Sequence, residues 1–133
     1  MTSIVEQIHW DRAPDGLVPA VVQDADTKDV LMLGFMNRAA LEKTLRTGKV
    51  TFWTRSRQKL WTKGETSGNT LDFVALRVNC NDDSLLILAR PVGATCHTGH
   101  PTCYYREVAG ENEEWRTITT PQFDPEQVYA KSA

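Results

Sequence analysis

A chain of 133 residues, 41% of them apolar, with a formal net charge of -2, suits one domain around a modest core and suggests no second. Its N-terminus, Met1-Thr2-Ser3-Ile4-Val5-Glu6, lacks the basic start and apolar run of a signal peptide, and the longest apolar stretch, Val30 to Met36, is too short to span a bilayer. A cytosolic protein is expected, in which an odd number of cysteines stays reduced and free for metal or catalysis rather than forming a disulfide framework.

Gly16 to Asp24 reads as a strand entered from a turn, with Pro19 placing it at a sheet edge or near the strand's own start. Asp26 to Asp29 is a polar turn, and Val30 to Met36 is apolar enough for a buried return strand, so the two make a hairpin. Asn37 is a good N-cap for a helix over Arg38 to Arg46, and Gly48 supplies its C-terminal stop. Lys49 to Thr54 returns to β-branched and aromatic residues, so a strand resumes and runs into Arg55-Ser56-Arg57. Gln58 to Asn69 reads as a polar, glycine-marked loop, the kind of segment that carries sites.

Lys43 to Gly64 holds seven basic residues and no acidic one, while the rest of the chain has eight basic against 17 acidic. That local cationic patch suits a small phosphorylated ligand better than a nucleic acid, which needs a broader basic face. Lys43, Arg46 and Lys49 read as solvated helix surface. Leu71 to Cys80 and Ser84 to Pro91 are strands joined by a tight turn, Gly93 to Cys103 is a loop, and Tyr104 to Val108 with Trp115 to Thr119 forms a last hairpin. From Pro121 the polar tail is expected to fray. The pattern is a β-rich α+β domain over residues 1–120 with one clear helix, a tail over 121–133, and enough exposed strand edge to favour a homodimer.

All three cysteines fall between Asn79 and Cys103: Cys80, Cys96 and Cys103, with His97 and His100 between the last two. Soft thiolates and imidazoles suit zinc, and the oxygen donors around Cys80 suit a hard cation such as magnesium. The six-residue gap from Cys96 to Cys103 is no zinc-ribbon knuckle, so three unconnected cysteines remain the other reading.

Several segments in order, Val18-Pro19-Ala20-Val21-Val22-Gln23-Asp24, Val30 to Asn37, Arg55-Ser56-Arg57, Leu60 to Gly68 and Cys96-His97-Thr98-Gly99, closely resemble the phosphoribosyl-AMP cyclohydrolase family of histidine biosynthesis. The resemblance implies hydrolysis of the N1–C6 bond of the adenine ring in N1-(5-phosphoribosyl)-AMP. It implies a homodimer holding one zinc per subunit, with Cys80 of one chain meeting Cys96 and Cys103 of the other. It also implies magnesium at the positions of Asn79, Asn81 and Asp83. The family usually reads Asp-Cys-Asp-x-Asp there, whereas this chain has Asn79-Cys80-Asn81-Asp82-Asp83. An extended backbone would keep Asn79, Asn81 and Asp83 on one face, with weaker magnesium affinity because an amide brings no charge, unless the turn lets Asp82 compensate.

His97 and Glu65 are the candidates for moving protons. Their alternative roles are orienting a metal group for His97 and bonding loop amides for Glu65. Arg55, Arg57 and Lys63 are assigned to the substrate's two phosphates, with the Ser67 hydroxyl and the Gly68 amide as further donors. Arg55 and Arg57, two apart on an expected strand, should share a face. Trp61 either stacks on a base or, the favoured reading, packs in the core. His9 and His100 are read as ordinary polar residues.

Some family members carry a fused pyrophosphohydrolase domain; the thirty or so residues after Cys103 are too few for one, so a monofunctional enzyme is expected. Two other classes compete: a cysteine-nucleophile enzyme using Cys96, which leaves Cys80 and Cys103 idle, and a zinc-stabilised nucleotide-binding relative weakened in catalysis.

Overall fold

The computed structural model describes residues 3–126. A short helix α1 (Ile4–Gln7) and two 3-10 turns (Trp10–Arg12 and Pro14–Gly16) lead into the sheet. Strands β1 (Val18–Asp24) and β2 (Val30–Met36) form the expected hairpin, and helix α2 (Arg38–Thr47) follows. Asn37 caps α2 by accepting from Ala40 N–H at 2.9 Å, and Gly48 ends it in the left-handed conformation. Next come β3 (Thr51–Thr54), β4 (Lys59–Thr62), β5 (Leu71–Val78), β6 (Leu85–Pro91), β7 (Arg106–Glu107) and β8 (Arg116–Thr117). A β-rich α+β fold is what the sequence led us to expect.

The main sheet has the order β2-β1-β6-β5, with β1 and β6 parallel and the outer pairs antiparallel. β1 is therefore central rather than an edge. Pro19 is tolerated because it sits near the strand's start, before the β1–β6 ladder opens at Ala20 and Leu85. Val18, Ala20 and Val22 of β1, Met32 and Met36 of β2, and Leu85, Ile87 and Ala89 of β6 point into one core, against Ala40 and Leu41 of α2. Phe52 of β3 packs directly against Gly34, where an added Cβ would stand 2.6 Å from its ring. Thr44, fully buried on α2, ties the helix to β3: its hydroxyl donates to Ala40 O at 2.9 Å and accepts from Thr51 N–H at 2.9 Å. The other sheet face carries an apolar row across three strands, since Leu33 and Leu86 both stand opposite Val21. Leu33 is 43% exposed.

Three expectations change. Arg55 to Gln58 is a turn rather than strand, with Gln58 at φ 52°, and the start of the expected loop is strand β4, paired Phe52 to Trp61. Residues 79–84 fold back as a turn, with Asp82 at φ 58°, so the extended stretch ends at Val78. The segment after Pro121 begins docked rather than frayed: Gln122 N–H donates to Gly99 O at 2.7 Å, and residues 127–133 lie outside the described residues. No described helix is long and apolar enough to cross a membrane.

Candidate active site

The loop after β4 and the cysteine loop meet over the end of β2. Lys63 leaves β4 with its N–H donating to Val50 O at 3.0 Å, and Gly64 then turns at φ 84°. A Cβ on Gly64 would lie 2.4 Å from the Asn69 backbone, so only glycine lets the loop close on itself here. On the other side, Cys103 N–H donates to Leu31 O at 2.7 Å and Thr102 Oγ1 to Val30 O at 2.7 Å, pinning the cysteine loop to the outer edge of β2. Within that loop Gly99 N–H reaches Cys96 O and Cys96 N–H reaches His100 O. His100, buried, stacks on Tyr105 at 3.8 Å and bonds Thr119 through Nδ1, a bracing role for a residue the sequence left unassigned.

Between the two loops lies a cavity of about 490 Å³, within the range of small-molecule sites. Arg57, Trp61, Lys63, Gly64, Thr66 and Ser67 line one side; Thr95, His97 and Cys103 line the other, with Met32 of β2 between. Four of the assigned site residues, Arg57, Lys63, Ser67 and His97, thus come together with Cys103. Ser67 Oγ accepts from Asn69 N–H at 3.2 Å, which leaves its own proton to give.

Other assigned residues go elsewhere. Because Arg55 and Arg57 sit in a turn, they do not share a face: Arg55 lies over the Phe35 ring at 4.1 Å and Arg57 reaches the cavity. The Gly68 amide is already spent on Gly64 O at 2.8 Å, which removes it as a ligand donor. Glu65 is outside the lining, and its Oε2 accepts from Thr62 N–H at 3.3 Å. Trp61 is half-buried, tilted against Phe52 at 6.0 Å while still walling the cavity, so packing and lining are not exclusive. Thr95 escaped the sequence reading; it adjoins Cys96, and its buried hydroxyl has no partner among the described residues. Met32 and Thr66 were also missed, with no chemical signal to single them out.

Cys96 and Cys103 are close enough for each to act on the other's ionisation, and Thr98 Oγ1 donates to Cys96 Sγ at 3.0 Å. Burial, then the charge of Cys96 and the hydrogen bond to it, pushes the Cys103 thiol up to about 12, against the opposing pull of Lys63. Burial lowers the Lys63 ammonium from its ordinary value, while Cys103 and then Cys96 act to raise it. Lys63 is 6% exposed and so faces the thiols as much as any ligand.

Cys80 is not with them. It is exposed on the turn after β5, at the opposite edge of the sheet from β2. Three strand spacings separate those edges, about 14 Å. Among the described residues, no three or more His, Cys, Asp or Glu side chains gather as a metal site. Two adjacent thiols fit a soft metal as part of a ligand set that a single copy does not complete. At the positions expected to hold magnesium, the Asn79 side chain is engaged within its own turn. Asn79 Oδ1 accepts from the N–H groups of Asp83 and Ser84, each at 2.9 Å, and its Nδ2 donates to Asp83 Oδ1 at 2.7 Å.

A cavity walled by cationic and hydroxyl side chains, an exposed imidazole and the Cys103 thiol defines a site for an anionic small molecule beside soft-metal ligands. A family model described as phosphoribosyl-AMP cyclohydrolase matches residues 32–105. A protein named phosphoribosyl-AMP cyclohydrolase from Desulfatibacillum aliphaticivorans is 50% identical over 117 residues, covering 87% of this chain and 92% of the relative. The histidine biosynthesis bifunctional protein HisIE of Photobacterium profundum is 46% identical over 140 residues, 98% of this chain and 67% of the relative. That of Vibrio vulnificus is 52% identical over 104 residues, 78% of this chain, which spans only 49% of the relative. The chain belongs to the phosphoribosyl-AMP cyclohydrolase family, and is thereby a hydrolase.

Proposed function

We propose that this chain opens the purine of N1-(5-phosphoribosyl)-AMP at the N1–C6 bond, yielding the formimino-aminoimidazole carboxamide ribotide intermediate of histidine biosynthesis. The observation that carries the reading is one cavity lined by Arg57, Lys63 and Ser67 on one side and by His97 and Cys103 on the other. A substituent on N1 makes C6 amidinium-like, so a hydroxide adds there, C6 becomes the carboxamide carbon, and the C6–N1 electron pair returns to N1 with a proton.

Arg57 offers a guanidinium fork to a phosphate at the cavity mouth, and Ser67 donates its hydroxyl. Trp61 supplies a flat apolar wall suited to a base. His97 takes the water proton on an imidazole nitrogen and returns it to N1. Glu65 steadies the loop through Thr62. Lys63, buried beside both thiols, would offset their negative charge once a metal had taken their protons, as well as the ligand's.

Zinc would be held by Cys96 and Cys103 with Cys80 of a second copy, and would bring a bound water's proton loss near neutral pH. A homodimer is supported by Cys80 standing at the far sheet edge and by the apolar row of Leu33, Val21 and Leu86 on the open face. Free thiols accord with work in the cytosol.

The test is a spectrophotometric assay on phosphoribosyl-AMP with and without a zinc chelator. Ring opening that stops on chelation and returns with zinc is expected, and a metal-free preparation at full rate overturns the metal. Retained binding without turnover in the zinc-loaded protein would instead indicate a weakened relative, the reading favoured by Asn79 and Asn81.

A further inference from the structure

We propose that the turn carrying Cys80 is closed by a carboxamide–carboxylate pair, Asn79 with Asp83, and takes no divalent cation. Asn79 Oδ1 receives two backbone N–H groups, from Asp83 and Ser84, which uses both of its lone pairs. Its Nδ2 donates to Asp83 Oδ1, and an amide nitrogen has no electrons for a metal. An aspartate at this position could make the two acceptor contacts but not the donation; it would face Asp83 with like charge, which a cation relieves.

The surrounding backbone is also committed. The Arg12 guanidinium donates to Asn81 O at 3.3 Å, and His9 N–H to Asp82 O at 2.7 Å. Arg12 therefore brings a positive charge to the turn, and the N-terminal segment occupies two of the turn's carbonyls. Magnesium needs near-octahedral oxygen ligation and usually one or two free carboxylates. Asp83 is left with a single uncommitted oxygen, Oδ2, so that with Asp82 the turn offers one whole carboxylate and half of another, short of the three that the family pattern gathers here. Asn79 is thus a positioning residue: it fixes the turn from which Cys80 projects, without metal.

This stands apart from the proposed hydrolysis, because the readout is ion capture and not turnover. Manganese(II) is titrated into the full, zinc-loaded protein while the electron paramagnetic resonance signal of the free ion is followed. The native chain should leave that signal unchanged through the millimolar range, whereas Asn79→Asp combined with Asn81→Asp should capture the ion at least about tenfold more tightly. Asn79→Ala should lower the thermal midpoint, and added magnesium should not restore it. Stoichiometric manganese capture by the native chain overturns the proposal; so does a double variant that captures no better, or a midpoint in Asn79→Ala that magnesium rescues.

Discussion

Arg55 and Arg57 look equivalent in the sequence, two guanidiniums on one motif, and the fold separates them. Arg57 lines the cavity, while Arg55 lies 4.1 Å above the Phe35 ring and outside the lining. On the proposed assignment, removing Arg57 deletes a charge-assisted hydrogen bond to a phosphate, which is worth about 1.5–3 kcal/mol. Through the relation of 1.4 kcal/mol to a factor of ten, Arg57→Ala should raise KM about 10- to 150-fold. Because a phosphate is held equally in ground and transition states, kcat should change little. Arg55→Ala loses an exposed cation–π contact of about 0.5–1 kcal/mol, which weakens the fold and not substrate binding, and should leave KM within about threefold of native. Steady-state kinetics on the two variants decide it. Equal KM effects, or a larger one at Arg55, would refute the assignment of the phosphate to Arg57 rather than Arg55.

Two further outcomes follow from the same geometry. His97→Gln should lower kcat by about 10²–10⁴, the usual contribution of a general base, whereas Glu65→Gln should cost far less because that carboxylate is turned to the Thr62 amide; comparable losses in a single-turnover assay would put Glu65 back in the proton path. Thr44→Val keeps the shape but takes away the acceptor of Thr51 N–H, so unfolding by urea should show a loss of about 1–3 kcal/mol with activity per folded molecule unchanged.

Much of the scaffold could be read before the structure. The β1–β2 hairpin, Asn37 and Gly48 at the ends of α2, and the β5–β6 pair follow from local rules, because each boundary is marked by a capping or turn residue. β4 could not be read. Lys59–Thr62 is a strand because Trp61 and Leu60 pair with Phe52 and Trp53, and the turn that returns it is built on Gln58 at φ 52°, with no glycine or proline to announce it. Placing that turn is what parts Arg55 from Arg57.

The site divides in the same way. Arg57, Lys63, Ser67, His97 and Cys103 were identifiable by residue type, yet that they share one cavity with Thr95 and Met32 depends on two loops meeting over β2. The Gly68 amide and Glu65 were lost to hydrogen bonds inside their own loop, a competition that composition does not reveal. Asn79 was visible as a departure from the family pattern; its three hydrogen bonds, which turn a weakened metal ligand into a closed turn, were not.

The separation of Cys80 from Cys96 and Cys103 within one copy makes subunit mixing the most direct test of a site shared between two chains. Cys80→Ser and Cys103→Ser should each be inactive alone. After the two are mixed in equal amounts, exchanged and supplied with zinc, half of the dimers are mixed and each holds one intact site of two, so about a quarter of native activity should return. No recovery, in a mixture shown to contain the mixed dimer, would contradict a site built from two chains.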